Sequence, residues 1–266
     1  YDTAVSLMGA DVDFWFNRAM VLAELGNAEE AIKSYSQALE LKPGLIEGWV
    51  NQGNLYLATG KLDDALGAFE EALRLSPGTV EALVNKGAVL LQKGRVKQAE
   101  AVFDDALKGN DSSSAIWTGK GAVLGAQGQP GAALDCYEKA LKLDPRNAHA
   151  IYNRSVALDA MGRSTEAFEG YARALKADPT IARAHFNRGV IMLSEGRSEE
   201  ALAAFEAFGV LAPSDERGFH NKGLALVKLS RYKEAVKAFE KALALKPGYE
   251  AARKAKEKFA RKAGKA

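Results

Sequence analysis

The side chains best suited to chemistry in this sequence are six asparagines at regular spacing. They lie 34 or 68 residues apart, and Gly119 fills the one gap in the series. A side-chain amide both donates and accepts hydrogen bonds, so a row of amides can bind the backbone of an extended polypeptide of any sequence. The same amides could instead bond to neighbouring helices, and the sequence leaves both roles open. The six are Asn17, Asn51, Asn85, Asn153, Asn187 and Asn221.

Catalytic and metal-binding patterns do not occur in the sequence. His149, His185 and His220 form no i, i+4 pair that could bind a metal. The single cysteine, Cys136, has no partner for an internal disulfide and is more typical of a structural thiol than of a nucleophile. The glycine-rich run at 125–131 follows a predicted helix, unlike a phosphate-binding loop, which follows a strand. We therefore predict a protein that is not an enzyme and uses no cofactor or metal.

Composition and charge narrow the choice of partner and compartment. The 266 residues carry a net charge of +2, which gives no overall basic field for nucleic acid. No apolar run approaches the ~20 residues that span a bilayer. The first residues, YDTAVSLMGAD, lack the basic and apolar regions of a signal peptide. Because one cysteine is typical of a reducing compartment, we expect a cytoplasmic protein. The low net charge favours a protein partner over nucleic acid.

Four residue classes repeat every 34 residues and define the elements that carry the asparagines. Apolar residues at i, i+4 and i+7 on each side of a glycine predict two helices, and proline ends the second. Phe208 replaces an alanine in the sixth copy, and we expect Gly218 in the next copy to make room for it. The series are Pro43, Pro77, Pro145, Pro179, Pro213 and Pro247; Gly26, Gly60, Gly94, Gly128, Gly162 and Gly196, then Ser230; Ala31, Ala65, Ala99, Ala133, Ala167, Ala201 and Ala235; and Tyr35, Phe69, Phe103, Tyr137, Tyr171, Phe205 and Phe239.

The copy at 46–79 shows the pattern most fully. Its marker residues are Trp49, Gly53, Tyr56, Ala65, Phe69, Ala72 and Pro77. This pattern resembles the tetratricopeptide repeat, or TPR. The resemblance implies an all-α fold, an α-solenoid of seven helix–turn–helix repeats in a right-handed superhelix, whose concave groove is lined by the first helix of each repeat. The predicted repeats are residues 12–45, 46–79, 80–113, 114–147, 148–181, 182–215 and 216–249.

Both ends of the chain depart from these seven repeats. Tyr1 and Ala4 fall in the phase of Tyr35 and Ala38, so residues 1–11 resemble the end of a truncated preceding repeat. An N-terminal second helix without its first helix could associate with another copy of the chain, which would give a homo-oligomer. Residues 250–266 are strongly polar and predict a C-terminal capping helix with a basic tail.

Many TPR proteins bind peptides in the concave groove, and the resemblance places candidate contacts there. The asparagines occupy the sixth position of their repeats. The second position is acidic in the first three repeats and basic in the last three, which could orient a bound peptide. The fifth position of these seven repeats carries no lysine, unlike the carboxylate clamp of chaperone-binding relatives. Besides the asparagines, the predicted groove residues are Phe16, Val50, Asn54, Val84, Tyr152, Phe186 and His220.

The seventh position of every repeat carries a basic or amide side chain where relatives usually have leucine. We expect the aliphatic stems to pack and the polar heads to reach water. These residues are Arg18, Gln52, Lys86, Lys120, Arg154, Arg188 and Lys222.

The sequence thus predicts a non-catalytic scaffold that binds an extended peptide or a partner helix in its groove. Two alternatives stay open. The chain could self-assemble through its N-terminal helix, or it could recruit substrates as one arm of a larger enzyme.

Overall fold

The computed structural model describes residues 11–264, which form fifteen helices joined by short turns, with no strand among them. The predicted all-α fold of helix–turn–helix repeats is confirmed. The prediction for residues 1–11 lies almost wholly outside the described residues. The first eight helices are α1 (Val12–Glu24), α2 (Ala28–Leu41), α3 (Ile46–Ala58), α4 (Leu62–Leu75), α5 (Val80–Gln92), α6 (Val96–Gly109), α7 (Ser114–Ala126) and α8 (Pro130–Leu143). The others are α9 (Ala148–Ala160), α10 (Ser164–Ala177), α11 (Ala182–Ser194), α12 (Ser198–Leu211), α13 (Glu216–Lys228), α14 (Tyr232–Leu245) and α15 (Glu250–Ala263).

A glycine in the left-handed region closes the turn inside each of the first six repeats. Gly60 has a φ of +76°, which costs a residue with a Cβ about 1–2 kcal/mol. The N–H of Lys61 then donates to the carbonyl of Tyr56 at 2.8 Å, which satisfies an otherwise unpaired group at the helix end. The six repeat glycines have φ between 71° and 80°, and Ser230 takes 60° in the seventh repeat. The glycine period in the sequence therefore reflects a backbone requirement.

Small residues on the first helix let the second helix of the same repeat approach closely. A Cβ added to Gly53 would lie 2.6 Å from the ring of Phe69, and one added to Gly223 would lie 2.4 Å from the ring of Phe239. Both distances are far below the contact distance of roughly 3.5–4.0 Å between carbon atoms. In five of the seven repeats, the glycine of the first helix and the aromatic residue of the second helix are therefore the two halves of one contact; the first and fifth repeats carry Ala19 and Ser155 at this position.

The helices divide between residues 145 and 146 into two compact units. In the first unit, the core extends from α3 to α7 around the buried rings of Phe69 and Phe103. In the second unit, a core around Phe205 joins α11 to α14, and α15 packs against it. Phe208 is also buried there, and a Cβ added to Gly218 would lie 2.4 Å from its ring. The expected compensation between Phe208 and Gly218 is confirmed.

Basic side chains at the seventh repeat position reach acids on the preceding second helix, sixteen residues earlier in the chain. In the first unit, the Lys86 Nζ lies 3.0 Å from Glu70 and the Lys120 Nζ lies 2.7 Å from Asp104. In the second unit, the Lys222 ammonium makes the same contact. The heads were expected to reach water, but in these repeats they form ion pairs between consecutive repeats.

Candidate peptide-binding surface

The predicted site residues lie on the first helices of the repeats. We call the second, fifth, sixth and ninth residues of α1, α3, α5 and α7 the first-helix face of the first unit. The matching positions of α9, α11 and α13 form the first-helix face of the second unit. The fifth and sixth positions each lie three or four residues from the second and the ninth, so each helix presents all four on one side.

In the first unit, the asparagines differ in their surroundings. Asn17 is exposed on α1. Asn51 on α3 lies beside the Tyr35 hydroxyl; burial raises the pKa of this phenol, and the Asn51 amide partly offsets that effect. The Asn85 Nδ2 donates to the Asn54 Oδ1 at 2.7 Å, and the Asn54 Nδ2 donates to Glu81 at 2.9 Å. An amide relay therefore links α5 to α3.

In the second unit, two asparagines have fixed partners. The Asn187 Nδ2 donates to the hydroxyl of Tyr171 at 3.1 Å, and Tyr171 is completely buried. The Asn221 Nδ2 donates to the Arg217 carbonyl, one turn earlier in α13, at 2.9 Å. Asn153 is half-buried on α9. Each amide has more than one bonding site, so one internal bond does not use up its capacity.

The aromatic residue sixteen positions earlier contacts the sixth position in three of the repeats. Where that residue is Tyr35 or Tyr171, its hydroxyl meets an asparagine on the next first helix. Where it is Phe103, the sixth position is Gly119, and a Cβ added there would lie 2.2 Å from the phenylalanine ring. A side chain at Gly119 would therefore collide with the Phe103 ring as it is placed here. A phenylalanine at this spacing does not by itself exclude asparagine, because Asn85 follows Phe69 and Asn221 follows Phe205 by sixteen residues.

The fifth position presents different surfaces in the two units. In the first unit, Phe16 packs edge-on against Tyr35 with ring centroids 5.5 Å apart, and Val84 is half-buried. Val50 is only 4% exposed and belongs to the core. Its side chain therefore offers little surface to a ligand.

In the second unit, the fifth position carries half-buried rings, each of which contacts at least one buried ring. Each exposes part of its surface on α9, α11 or α13. Rings of this kind provide a large apolar contact area with a fixed geometry. The pairs, with centroid distances, are Tyr152 and Tyr171 at 5.8 Å, Phe186 and Phe205 at 5.8 Å, Phe186 and Phe208 at 5.1 Å, His220 and Phe239 at 5.6 Å, and His220 and Tyr249 at 5.0 Å.

Charges flank these rings at the second position. Arg217 lies over the ring of Phe186, 5.5 Å from its centroid, and its Nη2 bonds to Asp215 at 2.6 Å. This bond holds the pKa of the Asp215 carboxyl below its usual range. Burial raises the pKa of Tyr152, whereas the positive charge of Arg183 lowers it. The Arg183 guanidinium is therefore close enough to influence the same surface. In the first unit, the second position instead carries the exposed acids Asp13, Glu47 and Glu81.

Two side chains with reactive groups, the Cys136 thiol and the His220 imidazole, are buried or half-buried. Burial raises the pKa of the Cys136 thiol, which keeps it protonated and poorly nucleophilic. The Nδ1 of His220 is buried without a hydrogen-bond partner, and burial lowers the pKa of this ring. Within residues 11–264, no group of histidine, cysteine and acidic side chains could hold a metal ion. No helix in this range has the length and apolar character to cross a membrane.

Three family models described as tetratricopeptide repeat match the sequence. One matches residues 50–115 and 160–216. A second matches residues 12–45, 114–147 and 217–249, and a third matches residues 136–169. Together they cover residues 12–249 except 46–49. No curated protein matches the chain in sequence.

Solved structures of repeat proteins share the fold. A tetratricopeptide repeat protein from Parabacteroides merdae ATCC 43184 aligns with a TM-score of 0.64 and 16% identity, over 93% of this chain and 98% of that one. The Cut9–Hcn1 hetero-tetramer of the APC/C aligns with a TM-score of 0.76 and 15% identity, over 96% of this chain and 50% of that one. Pseudomonas aeruginosa pilF aligns with a TM-score of 0.65 and 16% identity, over 79% and 95%.

These identities are low, so the likeness to the three structures concerns the fold alone. The family is shown by the matched models together with the repeating helix pairs and their glycine turns. The chain belongs to the tetratricopeptide repeat family.

Proposed function

We propose that this protein is a non-catalytic scaffold that holds an extended peptide or a partner helix against its first-helix faces. TPR proteins generally bind protein partners, and the repeat is generally a non-catalytic module. The observation that carries the proposal is the second unit's face, where half-buried rings alternate with amides beside an exposed valine, Val190. We place the scaffold in the cytoplasm, because a single cysteine suits a reducing compartment.

A ligand backbone can bind to those hydrogen-bonding groups of the asparagine amides that the bonds within the protein do not use. The Asn187 amide donates to the Tyr171 hydroxyl and also bonds to the Tyr152 hydroxyl, so its carbonyl oxygen is the group that we expect a ligand to use. This oxygen can accept a hydrogen bond from a backbone N–H of an extended peptide, whatever its sequence. Side chains of the ligand would then contact the Phe186 ring and the Val190 methyl groups, which supply apolar area.

Two valines of the same repeat offer a matched test. Val190 on α11 is 41% exposed within the first-helix face, whereas Val210 on the second helix α12 is 80% exposed outside it. A peptide selected from a random library on the wild-type chain is labelled, and its affinity for the variants is measured by fluorescence anisotropy. We expect Val190→Asp to weaken binding about tenfold or more, since it sets a carboxylate against apolar ligand surface.

The control variant Val210→Asp should bind the selected peptide as the wild type does. Equal affinities for all three proteins would show that the peptide binds elsewhere and would refute the proposed surface. Circular dichroism of each variant establishes that the fold is retained.

Self-association is a second candidate function, because α1 exposes apolar side chains. Val21 and Leu25 are 49% and 70% exposed, and both line a cavity of about 680 Å³ on this helix. Analytical ultracentrifugation over a range of concentrations tests this possibility. If α1 mediates assembly, Leu25→Glu should shift an oligomer towards monomer; a chain that is monomeric throughout would refute it.

A further inference from the structure

The last helix, α15, continues the repeat pattern. Its Lys256 lies 34 residues after Lys222 and makes the same ion pair with the preceding second helix, at 2.9 Å from Glu240 compared with 2.8 Å between Lys222 and Glu206. Ala252 is fully buried, as expected for a small residue at an interface between helices. The helix is therefore placed as the first helix of an eighth repeat would be.

The first-helix face of the second unit consequently extends onto α15. Lys254 lies 34 residues after His220, at the fifth position, and Lys258 lies at the ninth. Both lysines are exposed, and the Lys254 side chain is 77% exposed. Its ion pair with Glu250 spans 3.5 Å on the surface, and a contact of this kind competes weakly with a ligand.

The opposite side of α15 fixes this orientation. Phe259 stacks on Tyr232 of α14, with ring centroids 6.1 Å apart and planes at 7°. Ala252 and Phe259 both lie about 140–160° around the helix from Lys254, at 100° per residue. Lys258 lies about 40° from Lys254, so the two ammonium groups project from the side that is not packed on α14.

Cations outnumber acids on this extended face. Arg183, Arg217, Lys254 and Lys258 are opposed by Asp215 and Glu250, which leaves two positive charges in excess. The half-buried rings of Phe186, His220 and Tyr249 lie among them. The first-helix face of the first unit differs, since its second position carries three exposed acids.

We propose that the second unit selects an acidic peptide segment. Its carboxylates meet Lys254, Lys258 and Arg217, and an aliphatic or aromatic side chain between them rests on the exposed rings. This inference rests on the proposed function, because it assigns a ligand chemistry to the same surface. Complementary charge fixes which peptide binds and speeds its association, while the rings supply the apolar contact.

Fluorescence anisotropy with peptides of about twelve residues, roughly 40 Å when extended, tests the charge preference. The probes are fluorescein-labelled repeats of Asp-Glu-Leu, Lys-Lys-Leu and Ser-Ser-Leu. We expect the wild-type chain to bind the acidic probe about tenfold more tightly than the other two, with a preference that shrinks as salt is raised. The double variant Lys254→Glu, Lys258→Glu should lose this preference.

Two lysines on α14 provide the matched control. Lys233 and Lys237 are also exposed, also four residues apart, and lie outside the first-helix face. The double variant Lys233→Glu, Lys237→Glu changes the net charge equally, so it should keep the preference for the acidic probe. A loss of affinity in both double variants would show a general charge effect and overturn the assignment.

Other outcomes separate the two proposals. If the neutral probe binds as tightly as the acidic one and Val190→Asp weakens both, the peptide site stands and the acidic preference is overturned. If none of the three probes binds and no library peptide is selected, the proposed function itself fails. If phosphatidylserine vesicles or single-stranded DNA bind the wild type more tightly than the acidic probe and fail to bind the Lys254→Glu, Lys258→Glu variant, the ligand class is wrong.

Discussion

Removing the Asn187 amide would test whether the asparagine row stabilises the fold. In the wild type, this amide donates to the Tyr171 hydroxyl at 3.1 Å, and the tyrosine is completely buried. Asn187→Ala leaves the hydroxyl in the core without this donor. A buried polar group that loses its partner typically costs about 1–3 kcal/mol of stability, so we expect a loss in that range.

The double variant Tyr171→Phe, Asn187→Ala removes both partners of the bond. No unpaired hydroxyl is then left behind. The double variant should therefore lose less unfolding free energy than the two single variants lose in total, and the difference, the coupling energy, should be about 1 kcal/mol. Asn17→Ala is the matched control, since Asn17 holds the same repeat position but is exposed. Its effect should stay within about 0.5 kcal/mol.

Urea unfolding followed by circular dichroism measures these free energies. The reasoning fails if Asn187→Ala and Asn17→Ala have equal effects, or if the losses in the double variant are simply additive. Peptide binding by Asn17→Ala, measured in parallel, then reports on the amide as a ligand contact without a change in stability.

Three further predictions concern the turns, the core and acid stability, all measured by urea unfolding. Gly67→Ala, where an added Cβ meets nothing within 4 Å, should gain up to about 1 kcal/mol, whereas Gly218→Ala should lose about 1–3 kcal/mol against Phe208; equal gains would contradict the steric account. Ser230→Gly should gain about 1 kcal/mol, because φ is +60° there; a loss would contradict it. Burial lowers the pKa of His220, so stability should fall as pH drops below about 6.5. His220→Phe should reduce that fall, and an unchanged pH profile would refute this.

The fold could be predicted from the sequence because the same backbone and packing constraints recur in successive repeats. Gly60 marks a left-handed turn, and Gly53 marks the contact with Phe69. Each such constraint recurs every 34 residues, so chance matches are rapidly excluded. Even the exception at Phe208 could be anticipated, because a large residue in a small slot needs space opposite it, and Gly218 supplies that space.

The partners of polar side chains were harder to predict, because they depend on distances between consecutive repeats. The sequence indicated that Lys86 would reach water, but its ammonium lies 3.0 Å from Glu70. Likewise, the sequence left open whether the asparagines bind a ligand or neighbouring helices, and in the structure Asn187 bonds to a buried tyrosine whereas Asn17 is exposed. Identical residues at identical repeat positions meet different neighbours, and only coordinates reveal which.

This difference bears on where specificity would reside in a TPR scaffold of this kind. A position that holds consecutive repeats together, as Asn187 does with Tyr171, can change only at a cost to stability. Exposed second and fifth positions carry no such cost, since surface substitutions usually alter stability by no more than about 0.5 kcal/mol. These are the positions at which the units differ, with Glu47 in the first and Arg183 and Lys254 in the second. One repeat framework can therefore present two faces of opposite charge, and we expect ligand choice to follow those charges rather than the shared amides.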